Sequence, residues 1–149
     1  MEAVTSKQTE KQPVERLDIR VGHVVSAEIH PDADTMYVEQ IDVGDPEGPR
    51  TIVSGLRNHV KLEDFIGKDV LVLCNLKPRK LRGITSHGMV LCASNADHSI
   101  VELLCPTDNV PAGERVSIEG FDLSEPDSRL NPKKKYWVRK KFSFLFNKN

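Results

Sequence analysis

The stretch LDIRVGHVVSAEI, Leu17–Ile29, decides the fold. Leu17, Ile19 and Val21, then Val24, Val25, Ala27 and Ile29, alternate loosely with polar residues, the two-residue period of a half-buried strand. Gly22 falls inside that pattern. A glycine there marks a bulge or bend, which a strand needs when it curls around a small barrel. Moving outward, His30-Pro31-Asp32-Ala33-Asp34 is turn chemistry, and Met36, Val38, Ile41 and Val43 mark a second strand with a phase slip near Gln40. The Gly- and Pro-rich run 44–49 is a hairpin loop leading to a third strand at Thr51-Ile52-Val53. Residues 61–66 read as one or two helical turns ending at Gly67, and further strands are expected at 69–74 and 88–93, with weaker ones at 100–104 and 114–118. This all-β string with one short helix predicts a five-stranded Greek-key barrel, with a small sandwich as the alternative.

The 149 residues favour one domain. Residues 1–14 are nearly devoid of apolar side chains and read as a flexible leader; 15–120 read as the barrel domain, and 121–149 as a C-terminal extension. Formal charge is −1, but its distribution is uneven. From Lys133 onward there are seven basic residues and no acidic one, which leaves 14 basic against 22 acidic residues before it. An acidic body of −8 thus carries a cationic tail of +7, so the neutral total does not dismiss a polyanionic partner. Unbroken apolar runs reach about five residues, as in Val70–Cys74, whereas a membrane-spanning helix needs about 20. The polar N-terminus has no signal-peptide pattern, and Cys74, Cys92 and Cys105 contain no Cys-x-x-Cys pair. Reduced, mostly buried thiols in a cytoplasmic protein are the expectation.

Enzyme signatures are absent. Ser86 and His87 are neighbours, and on an extended chain their side chains point to opposite sides, which does not make a nucleophile–base dyad. The surrounding sequence also lacks a Gly-x-Ser-x-Gly elbow. Asp32 and Asp34 beside His30 offer a conceivable cation site, but an Asp-Ala-Asp turn is better read as carboxylates bonded to backbone N–H groups. His23, His59 and His98 lack metal-ligand spacing, and no phosphate-cradling glycine motif occurs. The expectation is a binding module with no catalytic residue, metal or cofactor.

The informative segment is Asn75-Leu76-Lys77-Pro78-Arg79-Lys80-Leu81-Arg82-Gly83, continuing through Ser86 to Met89. Four cations, Lys77, Arg79, Lys80 and Arg82, occupy six positions directly after a strand. Pro78 and Gly83 keep that stretch from being simple helix or strand interior. Crowding four like charges costs repulsion that a phosphate backbone would relieve. A solvated basic loop ion-paired with the acidic body is the competing reading.

Five segments, LDIRVG (17–22), HPDADTMYVEQIDVG (30–44), RTIVSGL (50–56), LCNLKPRKLRG (73–83) and SHGMVLCAS (86–94), resemble the tRNA-binding domain of the endothelial-monocyte-activating-polypeptide family. That domain is shared with C-terminal appendages of eukaryotic tyrosyl- and methionyl-tRNA synthetases and with a small dimeric bacterial tRNA-binding protein. The resemblance runs from about Leu17 to Lys135. It implies an OB-fold barrel that grips tRNA by shape and backbone without catalysis and presents it to a synthetase or multisynthetase complex. It also implies that Asn75, Lys77, Arg79, Lys80, Arg82, Ser86 and Met89 form the recognition surface, with Lys133, Lys134 and Lys135 beyond it. Within that surface the cations suit phosphates, Asn75 and Ser86 suit sugar or base edges, and Met89 suits a nucleotide face. Asn75 and Met89 read equally well as a turn residue and a core residue. Arg20, Val21, Gly22, His23, Val24, Val25 and Ser26 resemble the family segment associated with cytokine-like activity. A secreted signalling polypeptide is therefore the alternative function.

The segment 126–135 resembles the start of the family's C-terminal extension, but VRKKFSFLFNKN does not continue it, so the extension is expected to be truncated or replaced. Monomer and homodimer both remain open. Tyr136, Trp137, Phe142, Phe144 and Phe146 make this tail a candidate phosphate-binding arm, packing strap or membrane-surface anchor. Before Tyr136 the only aromatics are Tyr37, Phe65 and Phe121, too few to stack a single strand, so affinity is expected to lean on phosphates. The expected outcome is steep loss of tRNA affinity between about 50 and 200 mM salt with little preference among tRNAs, read by filter binding; flat affinity would remove the phosphate account.

Overall fold

The computed structural model describes residues 16–106, 109–116 and 126–130. The leader 1–14, the tail 136–149, Lys133–Lys135 and the end of the strand expected at 114–118 lie outside the described residues. The elements are β1 (Ile19–Ile29), β2 (Tyr37–Asp42), β3 (Arg50–Ser54), α1 (Leu62–Phe65), β4 (Asp69–Leu73), β5 (Arg79–Leu81), β6 (Ile84–Ser86), β7 (Met89–Val90), β8 (Cys92–Ser94) and β9 (Val101–Leu103). Strands β3-β2-β1-β4-β7 form one antiparallel five-stranded sheet that curls into a nearly closed barrel of the OB type. Among the described residues the all-β expectation with one short helix is met.

β1 makes the barrel by serving two neighbours. Ile19–His23 pair with β4, and His23–Ile29 pair with β2, so the strand crosses from one side of the sheet to the other along its length. The irregularity expected at Gly22 lies three residues later: Val24 and Ser26 face consecutive partners and leave Val25 unpaired. Gly22 has a different job. A Cβ there would stand 2.7 Å from Ile41 Cγ2 and 2.9 Å from Val72 Cγ2, so side chains from β2 and β4 meet over a bare backbone.

Two apolar clusters flank the sheet. Inside the barrel, Val24, Tyr37, Ile41, Ile52, Phe65, Val70 and Val72 pack together. Phe65 of α1 enters against the Tyr37 ring, 5.9 Å between centroids, and Tyr37 Oη donates to Val60 O at 2.7 Å. Outside it, Leu17, Ile19, Val21, Leu71, Leu73, Leu104 and Leu130 form the second cluster. β4 is therefore buried on both faces from Val70 to Leu73. The strand expected at 88–93 is split at Leu91: β7 pairs with β4, and β8 leaves the barrel to pair with β9. Leu91 N donates to Leu71 O, and Leu91 O accepts from Leu104 N, so one residue joins both partnerships.

Glu39 on β2 is fully buried. Its Oε1 accepts from Ser54 Oγ at 2.7 Å, while Oε2 has no hydrogen-bond partner among the described residues. Burial raises its pKa to about 8 against the hydrogen bonds from Ser54 that lower it. The unfolded chain releases this proton near pH 4.5, whereas the barrel holds it to about pH 8. The stability Glu39 contributes is thus complete below pH 4.5 and lost as pH rises through about 8. Urea unfolding is expected to show a decline on the order of a few kcal/mol across that window, and Glu39→Gln is expected to flatten it.

Candidate nucleic-acid interface

The segment between β4 and β7 folds into its own small hairpin. β5 and β6 pair through Arg79–Ser86, Lys80–Thr85 and Leu81–Ile84, closed by Arg82 and Gly83. Both turn residues have positive φ, 51° and 89°, as a two-residue hairpin of the I′ type requires. Three-residue strands carry too little alternation to announce themselves, which is why the sequence reads here as an interrupted loop. Arg79 stands opposite Ser86 and Lys80 opposite Thr85, so Arg79 and Lys80 project from opposite faces of the hairpin.

Lys77, Arg79, Lys80 and Arg82 are all exposed, and none pairs with a carboxylate of a described residue. Ion pairs within the body lie elsewhere among the described residues. Asp18 and Asp45 hold Arg20 at 2.8 and 3.1 Å, Asp45 also takes Arg50 at 2.6 Å, and Asp127 takes Arg16 at 3.4 Å. Asp69 lies 2.9 Å from His23. The hydrogen bond from Arg50, with that from Arg20, holds the Asp45 carboxyl below its ordinary range. Asp18 raises the Arg20 guanidinium further above its own. The ion-paired-loop reading of the cationic segment is not what the described residues show.

The hairpin is anchored at its base and at its side. Ser86 Oγ accepts from Val53 N and donates to Gly88 O, both at 3.0 Å, while His87 N donates to Thr51 O. Ser86 therefore has no hydroxyl proton to offer His87, which is exposed. Arg50 Nη1 donates to Cys74 O and His87 O, gripping both ends of the segment. His30 is buried. Its Nδ1 accepts from Asp32 N, which puts the ring proton on Nε2, 3.1 Å from Leu81 O. Both ring nitrogens are thus used for structure, and no group of three potential metal-ligating side chains occurs among the described residues. Arg50 and His30 escape sequence reading because their partners lie 24 to 51 residues away.

Asn75 is buried and fully engaged. Its Oδ1 accepts from Asp18 N, and its Nδ2 donates to Arg16 O and Asp127 O. Its own carbonyl accepts from Leu130 N. Met89 is half-buried at the edge of the outer cluster. The segment Arg20–Ser26 is part of β1: Val21 and Val24 are buried on opposite faces, Gly22 is wedged between strands, and His23, Val25 and Ser26 are exposed. Burial pushes the thiols of Cys74 and Cys92 up to about 12 and about 11, so both stay protonated at neutral pH. Among the described residues no helix is long and apolar enough to cross a membrane.

Residues 19–115 match the sequence profile of the family described as "Putative tRNA binding domain". The chain belongs to this tRNA-binding family. It is 53% identical over 135 residues to cytoplasmic tyrosine–tRNA ligase of Gallus gallus, covering 90% of this chain and 25% of that protein. It is 50% identical over 131 residues to aminoacyl tRNA synthase complex-interacting multifunctional protein 1 of Mus musculus, covering 87% and 41%. The chain thus spans well under half the length of either relative. Among solved structures, the C-terminal domain of Plasmodium vivax p43 superposes with a TM-score of 0.74 at 47% identity, over 86% of this chain and 73% of that one.

Asn75 ties the start of β1, the end of β4 and the segment at Asp127 into one knot. Asn75→Ala would leave the buried Asp18 N without its acceptor and take one hydrogen bond each from Arg16 O, which keeps Asp127 N, and Asp127 O. Urea unfolding is expected to show a loss of about 1–3 kcal/mol.

Proposed function

We propose that this chain is a non-catalytic, largely sequence-nonspecific tRNA-binding module that delivers or retains tRNA for an aminoacyl-tRNA synthetase. The observation that carries the reading is the β5–β6 hairpin region with four exposed cations that pair with no carboxylate of a described residue. It occupies the connection between the fourth and last strands of the barrel, a position from which OB folds contact oligonucleotides. Lys77, Arg79, Lys80 and Arg82 neutralise phosphates, with projections on both faces of the hairpin suited to a curved backbone rather than to one strand. Met89 lies beside them. Asn75 and Ser86 act by holding the hairpin, since their side-chain protons are already committed to backbone carbonyls. Lys133–Lys135 extend the phosphate contacts in this reading.

The relatives support a synthetase partner: a tyrosine–tRNA ligase and a synthase-complex-interacting protein both contain a region similar to this chain. Held near a catalytic domain, the module raises the local tRNA concentration, an effective-concentration gain that needs no new catalytic group. The cytoplasmic location carried in the avian relative's name is the location we propose here. A signalling role for Arg20–Ser26 has less support, because Val21 and Val24 lie within the two cores and Gly22 is wedged between strands, so these residues would have to leave the barrel to be read.

The combined variant Lys77→Glu, Arg79→Glu, Lys80→Glu, Arg82→Glu is expected to keep its circular dichroism spectrum and lose about 100-fold or more in tRNA affinity. Its slope of log affinity against log salt is expected to fall by about 3–4. A folded variant that binds tRNA like the parent would overturn the assignment.

A further inference from the structure

Beside the hairpin the surface opens into a cleft of about 490 Å³. It lies at the seam where β3 and β7 approach without a shared ladder. Leu56 and Val90 reach it from the barrel interior, Leu76 and Met89 from the outer cluster, and Leu81 from the hairpin. Lys77 and Arg79 also line it, and no carboxylate of a described residue does. Ser54 Oγ, whose proton goes to Glu39, is a remaining acceptor at the edge.

We infer that this cleft is a subsite for one unpaired nucleotide of the bound RNA. The lining is complementary to a ligand with an apolar, planar body and an anionic end: the base is buried against Leu56, Leu81, Met89 and Val90 while its phosphate meets Lys77 and Arg79. The volume is in the range of small-ligand sites. A paired base is unavailable to such a cleft, because the stacked duplex presents only its grooves and backbone. The module therefore distinguishes RNA with splayed nucleotides from continuous duplex, even where its phosphate contacts are indifferent to sequence. An apolar peptide would suit the walls equally, but not the two cations and the lack of any acidic group. The inference rests on the tRNA-binding reading and adds to it the part of the ligand that enters.

The test uses the full chain with methyl-labelled Leu, Met and Val. Millimolar adenosine 5′-monophosphate is expected to shift the methyl signals of Leu56, Met89 and Val90. A short single-stranded RNA is expected to compete with tRNA about tenfold better than a blunt duplex carrying equal phosphates. Leu81→Trp, which fills the cleft, is expected to bring the single strand down to the level of the duplex. Methyls silent to the nucleotide, equal competition by strand and duplex, or methyls shifted only by an apolar peptide would each overturn the subsite. Failure of the parent chain to bind tRNA would instead sink the functional reading, and the mononucleotide titration would still decide the cleft.

Discussion

The seam between β3 and the end of the β5–β6 hairpin governs the rest of the molecule. Five strands of the barrel are joined in a row by ordinary ladders, but the gap between its two edges is bridged by Ser86 Oγ under Val53 N and by His87 N on Thr51 O. A side-chain hydroxyl therefore satisfies a strand N–H where a neighbouring strand would normally do so. That substitution lets the chain between β4 and β7 lift away from the sheet as a hairpin without orphaning the edge of β3. Arg50 and His30 then fix how far it lifts. One device thus closes the barrel, exposes the cations and leaves the cleft beside them.

Charge is sorted just as strictly. The carboxylates nearest the barrel's end, Asp18 and Asp45, are held by Arg20 and Arg50, whose guanidinium groups also bind backbone carbonyls. An arginine fork does this well because it offers several donors in a fixed plane. Those two carboxylates consequently make no demand on the hairpin cations, and four exposed positive charges stand on one hairpin region of a chain whose total charge is near zero. Glu39 is handled differently. It is an acid kept inside the barrel with one oxygen unpartnered among the described residues, tolerable because burial keeps it protonated at neutral pH.

Much of this was legible in the sequence. The alternation around Gly22, the turn at His30–Asp34 and the helix ending at Gly67 mark the barrel, since they depend on neighbours within a few residues. The cation run and its family resemblance mark the interface. What stayed hidden depends on distant partners. The bulge at Val25 is set by the register of β2, not by β1 itself. The split at Leu91 arises because β7 and β8 pair with different strands, although the residues read as one apolar run. Asn75 and Ser86 suit outward donors by residue type, yet the Asn75 side-chain partners and the Val53 N–H that Ser86 Oγ accepts are 33 to 59 residues away, and the Ser86 proton goes to Gly88 O two residues on. Polar residue types name a capacity for hydrogen bonding, and only the fold decides whether that capacity is turned toward the protein or toward a ligand.

Arg82 carries a final consequence. The first residue of a I′ loop takes a left-handed backbone that asparagine, aspartate or glycine adopts readily and that a residue with a long side chain resists by about 1–2 kcal/mol. A chain shaped only for a sturdy hairpin would place one of those three at the tip. Here the loop accepts a poorer backbone to keep a guanidinium at its most outlying point, a local sacrifice of rigidity in favour of reach, which is where stability and activity pull in opposite directions.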